Sequence, residues 1–276
     1  PFDLSRQDSP AELTLQGGEA KNLASVLADD PLRAVQGLPG VTSNDDFNSY
    51  FSLRGAAYHR IGLYLDDLQL HAPFHMVQGE DVSGSLTVIN GDILDGLALH
   101  TGAYPVRYGD STAGALDVRT REGSRLKPAL RLTASASNTG LLAEGPLGRN
   151  RRGAWLASIR KSYLEYLIRR VTTDPSLAFG FFDVLGRVSY DFGRKHNLSL
   201  EVLDGFSGLD RTSGRTRLGF NSTMTSGYHF SLANLAWRFT PSGRLLVMNR
   251  LGILRERFDN DNREELPLAQ GIKFGD

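Results

Sequence analysis

The sequence predicts a small α+β domain followed by antiparallel strands of an incomplete transmembrane β-barrel. Short helical and strand patterns alternate up to about residue 122, whereas long segments of alternating apolar and polar residues follow it. Short and long connections alternate between those later segments, as they do in outer-membrane barrels. The 276 residues are enough for two such parts. We expect a linker over residues 1–9, the α+β domain over 10–122 and barrel strands over 123–276.

The composition excludes several classes of function. Lys and Arg total 31 and Asp and Glu total 31, so no net charge favours a nucleic-acid partner. The chain has no Cys, which excludes disulfides and thiolate metal sites. No apolar run reaches the length of a membrane-spanning helix. We found no catalytic constellation and expect neither an enzyme nor a cofactor.

The first domain begins with one strand and a pair of helices. Alternating leucines predict a strand over 11–16, and apolar spacing predicts two helices within 22–38. Pro31 separates the helices and stands at the first position of the second one, so Asp29 or Asp30 is expected to cap it.

Shorter elements follow before the domain ends. We expect residues 71–81 to form a polar and aromatic loop, and the spacing of Val82, Leu86 and Ile89 to form a helix. Strands are expected over residues 51–55, 61–67, 68–70, 93–99 and 115–120.

The stretch over residues 102–120 contains three glycines in a bent, tightly packed segment. Gly102, Gly109 and Gly114 are expected where the backbone needs a positive φ or a close approach. Pro105 fixes one φ and removes one hydrogen-bond donor.

Four motifs in this half resemble the plug domain of TonB-dependent outer-membrane receptors. They are the helix and Leu-Pro-Gly-Val turn over 30–41, the Arg-Gly strand over 51–55, the strand end over 64–67, and Arg107-Tyr108-Gly109. Asp67 departs from the pattern, because the family usually has Gly there. The resemblance covers about a hundred residues with the motifs in the family's order.

The second half has the pattern of barrel strands. We expect about seven strands, with tight turns at 148–152, 193–196 and 241–243 and long connections at 164–181, 208–226 and from Asp259 onward. Aromatic residues near the short turns suit a membrane interface: Trp155, Tyr190, Phe192, Trp237 and Phe239. A barrel of about eight strands has no room for a domain of this size, so we expect the barrel to be incomplete in this chain.

The resemblance implies an active transporter of the cell outer membrane. A scarce solute, whether siderophore-like, cobalamin-like, a saccharide or a peptide, would bind between the plug apex and the external loops. The TonB energy-transducing complex of the inner membrane would then drive import, and outer-membrane lipid would surround the barrel. We expect the TonB-contacting segment upstream of residues 1–10. The alternative is a soluble ligand-binding module fused to a β-sandwich, with no transport.

The resemblance also assigns roles to individual residues. Arg54 and Arg107 are expected to pair with carboxylates of the barrel wall, although each is also compatible with an exposed arginine whose stem is packed. Gly55 joins Gly102, Gly109 and Gly114 as a structural glycine. The acidic pairs at residues 45–46 and 66–67 more often end strands than bind metal, so we expect no metal site. The ligand-binding candidates in the apex loops are Tyr58, His59, Arg60, His71, Phe74 and His75.

Overall fold

A computed structural model describes most of the chain. The described residues are 11–23, 30–43, 49–76, 84–135, 138–148, 150–163, 166, 170, 179–212, 222–262 and 267–275. The linker expected over 1–9 lies outside them. Within the described ranges, no helix is both long and apolar enough to span a bilayer.

The first domain is built on one five-stranded mixed sheet. Its helices are α1 (Gly17–Leu23) and α2 (Pro31–Val35). Its strands are β1 (Glu12–Gln16), β2 (Val41–Thr42), β3 (Ser52–Leu53), β4 (Ile61–Leu65), β5 (Leu68–Leu70), β6 (Phe74–Met76), β7 (Gly84–Thr87), β8 (Leu94–His100) and β9 (Gly114–Thr120). The central sheet has the order β1-β8-β9-β4-β5, in which β4 and β9 are parallel.

Helix α2 begins as its sequence indicates. Asp30 is the N-cap and accepts a hydrogen bond from the Leu32 amide at 2.9 Å, and Pro31 follows it. The same buried carboxylate accepts from the Thr87 amide at 2.8 Å. One side chain therefore both caps the helix and holds β7 beside it.

The helix expected around Val82, Leu86 and Ile89 is wrong. The described part of that segment is strand β7, which pairs antiparallel with β6, and β6 itself lies where a loop was expected. Leu86, Thr87 and Val88 are all buried, so both faces of this segment are covered. The spacing of apolar residues is then no guide to helix or strand.

The three glycines over 102–120 differ in what they do. A Cβ on Gly114 would lie 2.5 Å from Leu53 Cδ2 and 2.6 Å from the His100 carbonyl oxygen, so the close approach expected there is confirmed. A Cβ on Gly102 or Gly109 would meet nothing within 4 Å, and neither has a positive φ, so that expectation was wrong. The left-handed residues are their neighbours Ala103 and Asp110. Gly55, with φ of 81°, has the role expected of it.

The second half forms one antiparallel sheet of eight strands in chain order, which we call the wall. Its strands are β10 (Ala129–Ala134), β11 (Asn138–Leu147), β12 (Gly153–Ser162), β13 (Phe179–Phe192), β14 (His196–Asp210), β15 (Thr223–Ser242), β16 (Leu245–Asn262) and β17 (Pro267–Gly275). One more strand is present than expected, because β17 follows β16 after only residues 263–266. The long connection expected from Asp259 onward was therefore wrong.

The two faces of the wall differ in chemistry. Its outer face exposes large apolar side chains: Leu141, Ile159, Val184, Val188, Leu200, Val202, Phe206, Leu235, Trp237, Leu251 and Ile253. Its inner face buries polar ones: Ser158, Arg160, Asp183, Ser189, Glu201, Ser207, Asn234, Glu256 and Asn260. The first domain packs on that inner face, with leucines of both parts in one core. Among the described residues of the second half no other sheet faces the wall, so the sandwich alternative is not favoured.

The substitution Gly114→Ala tests the close approach at the start of β9. Because its Cβ would overlap Leu53 and the His100 carbonyl, we expect a loss of about 1–3 kcal/mol in unfolding free energy. Denaturant titration of the purified chain in detergent measures it. Gly102→Ala is the matched control, and an equal effect of both would contradict this packing.

The buried side chain of His100 makes the stability of the first domain depend on pH. Burial lowers the pKa of His100 from its usual value, although Glu12 lies 4.0 Å away and opposes the shift. Below about pH 6.5 the unfolded chain takes up a proton that the folded domain resists, so stability decreases as pH falls.

We expect His100→Gln to flatten this dependence between about pH 7 and pH 5, measured as unfolding free energy against pH. An unchanged slope in His100→Gln would refute the assignment.

Candidate functional site

The tight turn between β4 and β5 presents two aspartates to the wall. Asp66 and Asp67 have φ of 46° and 64°, so both are left-handed, as a two-residue hairpin turn of type I′ requires. Asp tolerates this conformation better than most residues. The turn is therefore kept even though Asp67 stands where the family usually has Gly.

Asp66 binds Arg187, an arginine on the inner face of the wall whose side chain is 12% exposed. Arg187 of β13 donates to the carboxylate of Asp66 and also to Glu201 of β14 at 3.0 Å. The Thr120 hydroxyl lies against both carboxylates and is 2.7 Å from Glu201. One guanidinium thus holds two carboxylates, one from each part of the chain.

Arg250 of β16 binds the same turn from the other side. It donates to the Asp66 carbonyl oxygen and, at 2.6 Å, to the Asp67 carboxylate. Asn234 of β15 donates to the Asp66 carbonyl at 3.3 Å. We call the bonds of Asp66 and Asp67 to Arg187, Asn234 and Arg250 the acidic-turn contact.

A cavity of about 190 Å³ lies beside the acidic-turn contact. Its lining is mostly polar and carries both charge signs. The lining side chains include Asp66, Asp67, Arg119, Glu122, Arg187, Asn197, Glu201, Asn234, Arg238, Asn249 and Arg250. Water can therefore reach the charged groups of this contact.

A second charged contact is buried and lies farther along β13 from the short turn at 193–196. The His75 imidazole is 3.1 Å from the Asp183 carboxylate and stacks on Phe181 with ring centroids 4.4 Å apart. Arg160 donates to Asp183 at 2.6 and 2.9 Å and to the Thr87 carbonyl of β7. We call this set the histidine contact. Asp183 and Arg187 are four residues apart on one strand, or about 13 Å.

Two glycines let the first domain approach the wall closely. A Cβ on Gly252 would lie 2.5 Å from Leu68 Cδ1, and a Cβ on Gly205 would lie 3.0 Å from Val88 Cγ1. Each glycine faces inward on its strand, next to one of the two charged contacts. The fit of these aliphatic side chains therefore sets where the first domain sits along the wall.

The connector from β9 to β10 is also bound to the wall. Arg121 donates to Glu144 of β11 and to the Asp92 carbonyl, and Arg125 donates to Asp191 of β13 and, at 2.8 Å, to Glu122. Charge pairs thus hold the connector between the first domain and the wall.

Three of the expected ligand-binding residues lie exposed at one end of the β4–β5 ladder. His59, Arg60 and His71 are exposed, and the pairing of Leu70 with Leu63 brings His71 to the end where β4 begins. Arg60 donates to the Thr112 hydroxyl at 3.0 Å. These three positions stay candidates for solute contact.

Tyr58 is half-buried in an aromatic group with Tyr50, Phe51 and Phe74. Burial raises the pKa of Tyr58 well above its usual value. The phenol therefore stays neutral, and its ring helps to support the exposed segment that follows.

Phe74 and His75 do not lie open to a solute. Both side chains have no exposed surface: Phe74 belongs to the core, and His75 belongs to the histidine contact. The sequence interpretation failed because this segment is strand β6 rather than a surface loop.

Arg54 and Arg107 bind within the first domain. Arg54 donates to the carbonyl and hydroxyl oxygens of Thr101 at 3.1 Å, and Arg107 donates to the Tyr108 hydroxyl at 2.9 Å. In the described part of the chain neither contacts a wall carboxylate, so that pairing stays a prediction. In the charge pairs of the acidic-turn contact the two signs are exchanged relative to that expectation. The carboxylates belong to the first domain and the arginines belong to the wall.

The first domain matches a family model. The model is described as TonB-dependent Receptor Plug Domain, and it matches residues 8–116. The first domain is a TonB-dependent receptor plug domain. No curated protein sequence matches the chain.

Solved receptor structures share the fold of the plug and the wall together. A mutant of the ferric enterobactin receptor PfeA from Pseudomonas aeruginosa has a TM-score of 0.66 at 12% identity, over 98% of this chain and 45% of that one. The ferric-catecholate import receptor Fiu from E. coli K12 has 0.62 at 14%, over 91% and 39%.

A double mutant of the Serratia marcescens hemophore receptor HasR, in complex with its hemophore HasA and heme, has a TM-score of 0.67 at 14% identity. The match covers 92% of the present chain and 39% of the HasR chain. The present chain spans less than half the length of each of these three receptors.

Removing the shared guanidinium tests the acidic-turn contact. Arg187→Met leaves Asp66 and Glu201 side by side without their cation, so we expect a loss of about 3–5 kcal/mol in plug docking. The measurement is the unfolding free energy from titration with guanidinium chloride in detergent. Adding Glu201→Gln should recover part of the loss, because one of the two stranded charges is removed.

The matched control is Arg257→Met on the outer face. Arg257 and Asp259 are both half-exposed, so we expect a change below about 1 kcal/mol. Equal losses at Arg187 and Arg257 would contradict a buried role for Arg187.

Proposed function

We propose that this chain is part of an outer-membrane receptor that binds a scarce solute and imports it past the plug. The observation that carries the proposal is the docking of a plug domain on the polar inner face of a strand wall. Energy would come from the TonB complex of the inner membrane, because charge pairs hold the plug and must be broken for passage. Import of this kind requires no covalent chemistry.

The outer face of the wall supports lipid as its environment. Its apolar side chains are exposed over the middle of strands β11 to β16. Aromatic ring pairs follow near the short turns: His196 and Phe239 are stacked with centroids 4.4 Å apart, and Tyr190 and Phe192 meet edge to face with centroids 4.8 Å apart. An apolar band bordered by aromatic side chains is typical of outer-membrane strands.

The solute we propose is an iron chelate or haem. The three receptors compared above are named for ferric enterobactin, ferric catecholate and heme, which favours this class over cobalamin, saccharide or peptide. The exposed candidates His59, Arg60 and His71 suit an anionic chelate, because Arg60 carries a positive charge and the imidazoles can donate hydrogen bonds.

Uptake of radiolabelled iron tests the proposal. The natural full-length receptor is expressed in cells that lack their own receptors, and ferric enterobactin and haem serve as probes. We expect uptake of at least one probe, and we expect it to disappear in cells without TonB. Uptake that persists without TonB, or a protein that purifies as a soluble monomer without detergent, would overturn the proposal.

The solute contacts are tested by binding rather than by uptake. The double substitution Arg60→Ala with His71→Ala should weaken chelate binding by about tenfold or more, because loss of a hydrogen bond to a charged group costs about 1.5–3 kcal/mol. His229→Ala, on the outer face of the wall, is the control. Unchanged affinity in the double variant would remove these residues from the site.

A further inference from the structure

We propose that one side of the plug, rather than the whole domain, moves to open the solute path. In this proposal β5 and the Asp66–Asp67 turn separate from strands β15 and β16 of the wall, while β6 and β7 stay bound to β12, β13 and β14. The inference rests on the proposed import function and adds the place of passage and the part that moves.

The position of β5 in the sheet permits this motion. It is the last strand of the order β1-β8-β9-β4-β5, and it is joined to β4 by only three residue pairs. A strand at the end of a sheet has a ladder on one side only, so the bonds lost within the plug are those to β4 and those of Asp66 to Val118 and Thr120 of β9. By contrast, β9 lies between β4 and β8 and has neighbours on both sides.

The contacts that hold this side to the wall are accessible to water. The side chains of Asp67 and Arg250 are 33% and 23% exposed, and those of Asp66 and Arg187 are 13% and 12% exposed, against 1% and 4% for Arg160 and Asp183 of the histidine contact. The cavity beside them is lined by Asp66, Arg187 and Glu201 as well. When the turn moves, water from the cavity can take the place of the partners lost by Asp67 and Arg250, and Arg187 keeps Glu201 as its partner.

The same side runs along the wall from the cavity to the exposed histidine. Leu68 lies against Gly252, and farther along the chain the Ala72 carbonyl accepts from the Tyr228 hydroxyl at 2.9 Å. Asn234 beside the turn and Tyr228 are six residues apart on β15, or about 20 Å. Moving β5 would thus open one continuous gap from His71 down to the cavity.

The opposite side of the plug is dry and held by more demanding partners. His75 is fully buried, and Arg160 and Asp183 are 1% and 4% exposed. Val88 beside them has no exposed surface and lies against Gly205. Separating β6 and β7 from the wall would take His75 from Asp183 and the Thr87 carbonyl from Arg160 at a place that water does not reach, so this side is the one that stays.

The lining of the opened gap indicates a polar solute. Asp66, Asp67 and Arg250 carry both charge signs, and Asn234 and Tyr228 add neutral hydrogen-bonding groups. Such a surface solvates a hydrophilic solute of either charge without binding it tightly.

Two engineered disulfides in the full-length receptor test which side moves. This chain has no Cys of its own that could pair with the introduced residues. Leu68→Cys with Gly252→Cys ties the side proposed to move, since a Cβ at position 252 would lie 3.2 Å from Leu68 Cγ, where a sulfur would stand. Val88→Cys with Gly205→Cys ties the side proposed to stay, since a Cβ at 205 would lie 3.4 Å from Val88 Cβ, near disulfide spacing.

We expect the oxidised Leu68–Gly252 variant to lose ferric chelate uptake and to regain it after reduction. The oxidised Val88–Gly205 variant should transport like its reduced form. Loss of uptake in both oxidised variants would show that the whole plug moves, and loss only in the second would reverse the assignment; either result overturns the proposal. If the unmodified receptor takes up no chelate, the proposed function itself fails, which this control reveals separately.

Labelling of single cysteines keeps the test valid if a paired variant folds poorly. Leu68→Cys and Val88→Cys are each treated with a water-soluble maleimide during energised uptake. We expect labelling at position 68 to increase with transport and position 88 to stay protected. Equal labelling at both positions, or none above the resting level at 68, would refute the proposal.

Discussion

The rest of the structure depends on one constraint: the charged side chains on the inner face of the wall need partners. Arg160, Arg187 and Arg250 all point inward from strands whose outer faces are apolar. Asp183 and Glu201 of the wall pair with Arg160 and Arg187, but without the plug Arg250 would lose Asp67 and the other two arginines would lose further acceptors. The plug supplies what is missing, namely the carboxylates of Asp66 and Asp67 and carbonyl oxygens of the backbone.

Charge and shape have different roles in this docking. The ion pairs hold the plug against the wall, but long arginine side chains tolerate small displacements. The glycines at 205 and 252 do not, because the aliphatic side chains of Val88 and Leu68 lie at the distance where a Cβ would stand. The plug is therefore positioned by close packing and held there by charge, which suits the movement proposed above.

The sequence predicts elements whose two sides meet different environments. The wall strands alternate because one face exposes apolar side chains and the other meets the plug, and α2 is signalled by Asp30 and Pro31. Strand β7 was missed because Leu86, Thr87 and Val88 are buried on both faces, which removes the periodic signal.

The candidate site was predicted only in part, because its contacts join residues far apart in sequence. Alternation placed Arg187 on the face of β13 opposite its apolar residues, but nothing local indicates that Asp66, 121 residues away, is its partner. The Arg-Tyr-Gly motif drew attention to Arg107, whose bond is to its own neighbour Tyr108. A better signal was present in Asp67, an acidic residue at a left-handed turn position usually filled by Gly.

The most direct test of this account is a cryo-EM structure of the full-length receptor in lipid. We predict a closed barrel in which β10 to β17 keep their order, with the plug inside and the Asp66–Asp67 turn bound to Arg187 and Arg250. A barrel that closes with the plug outside it, or with those two arginines paired to other wall residues, would contradict the account.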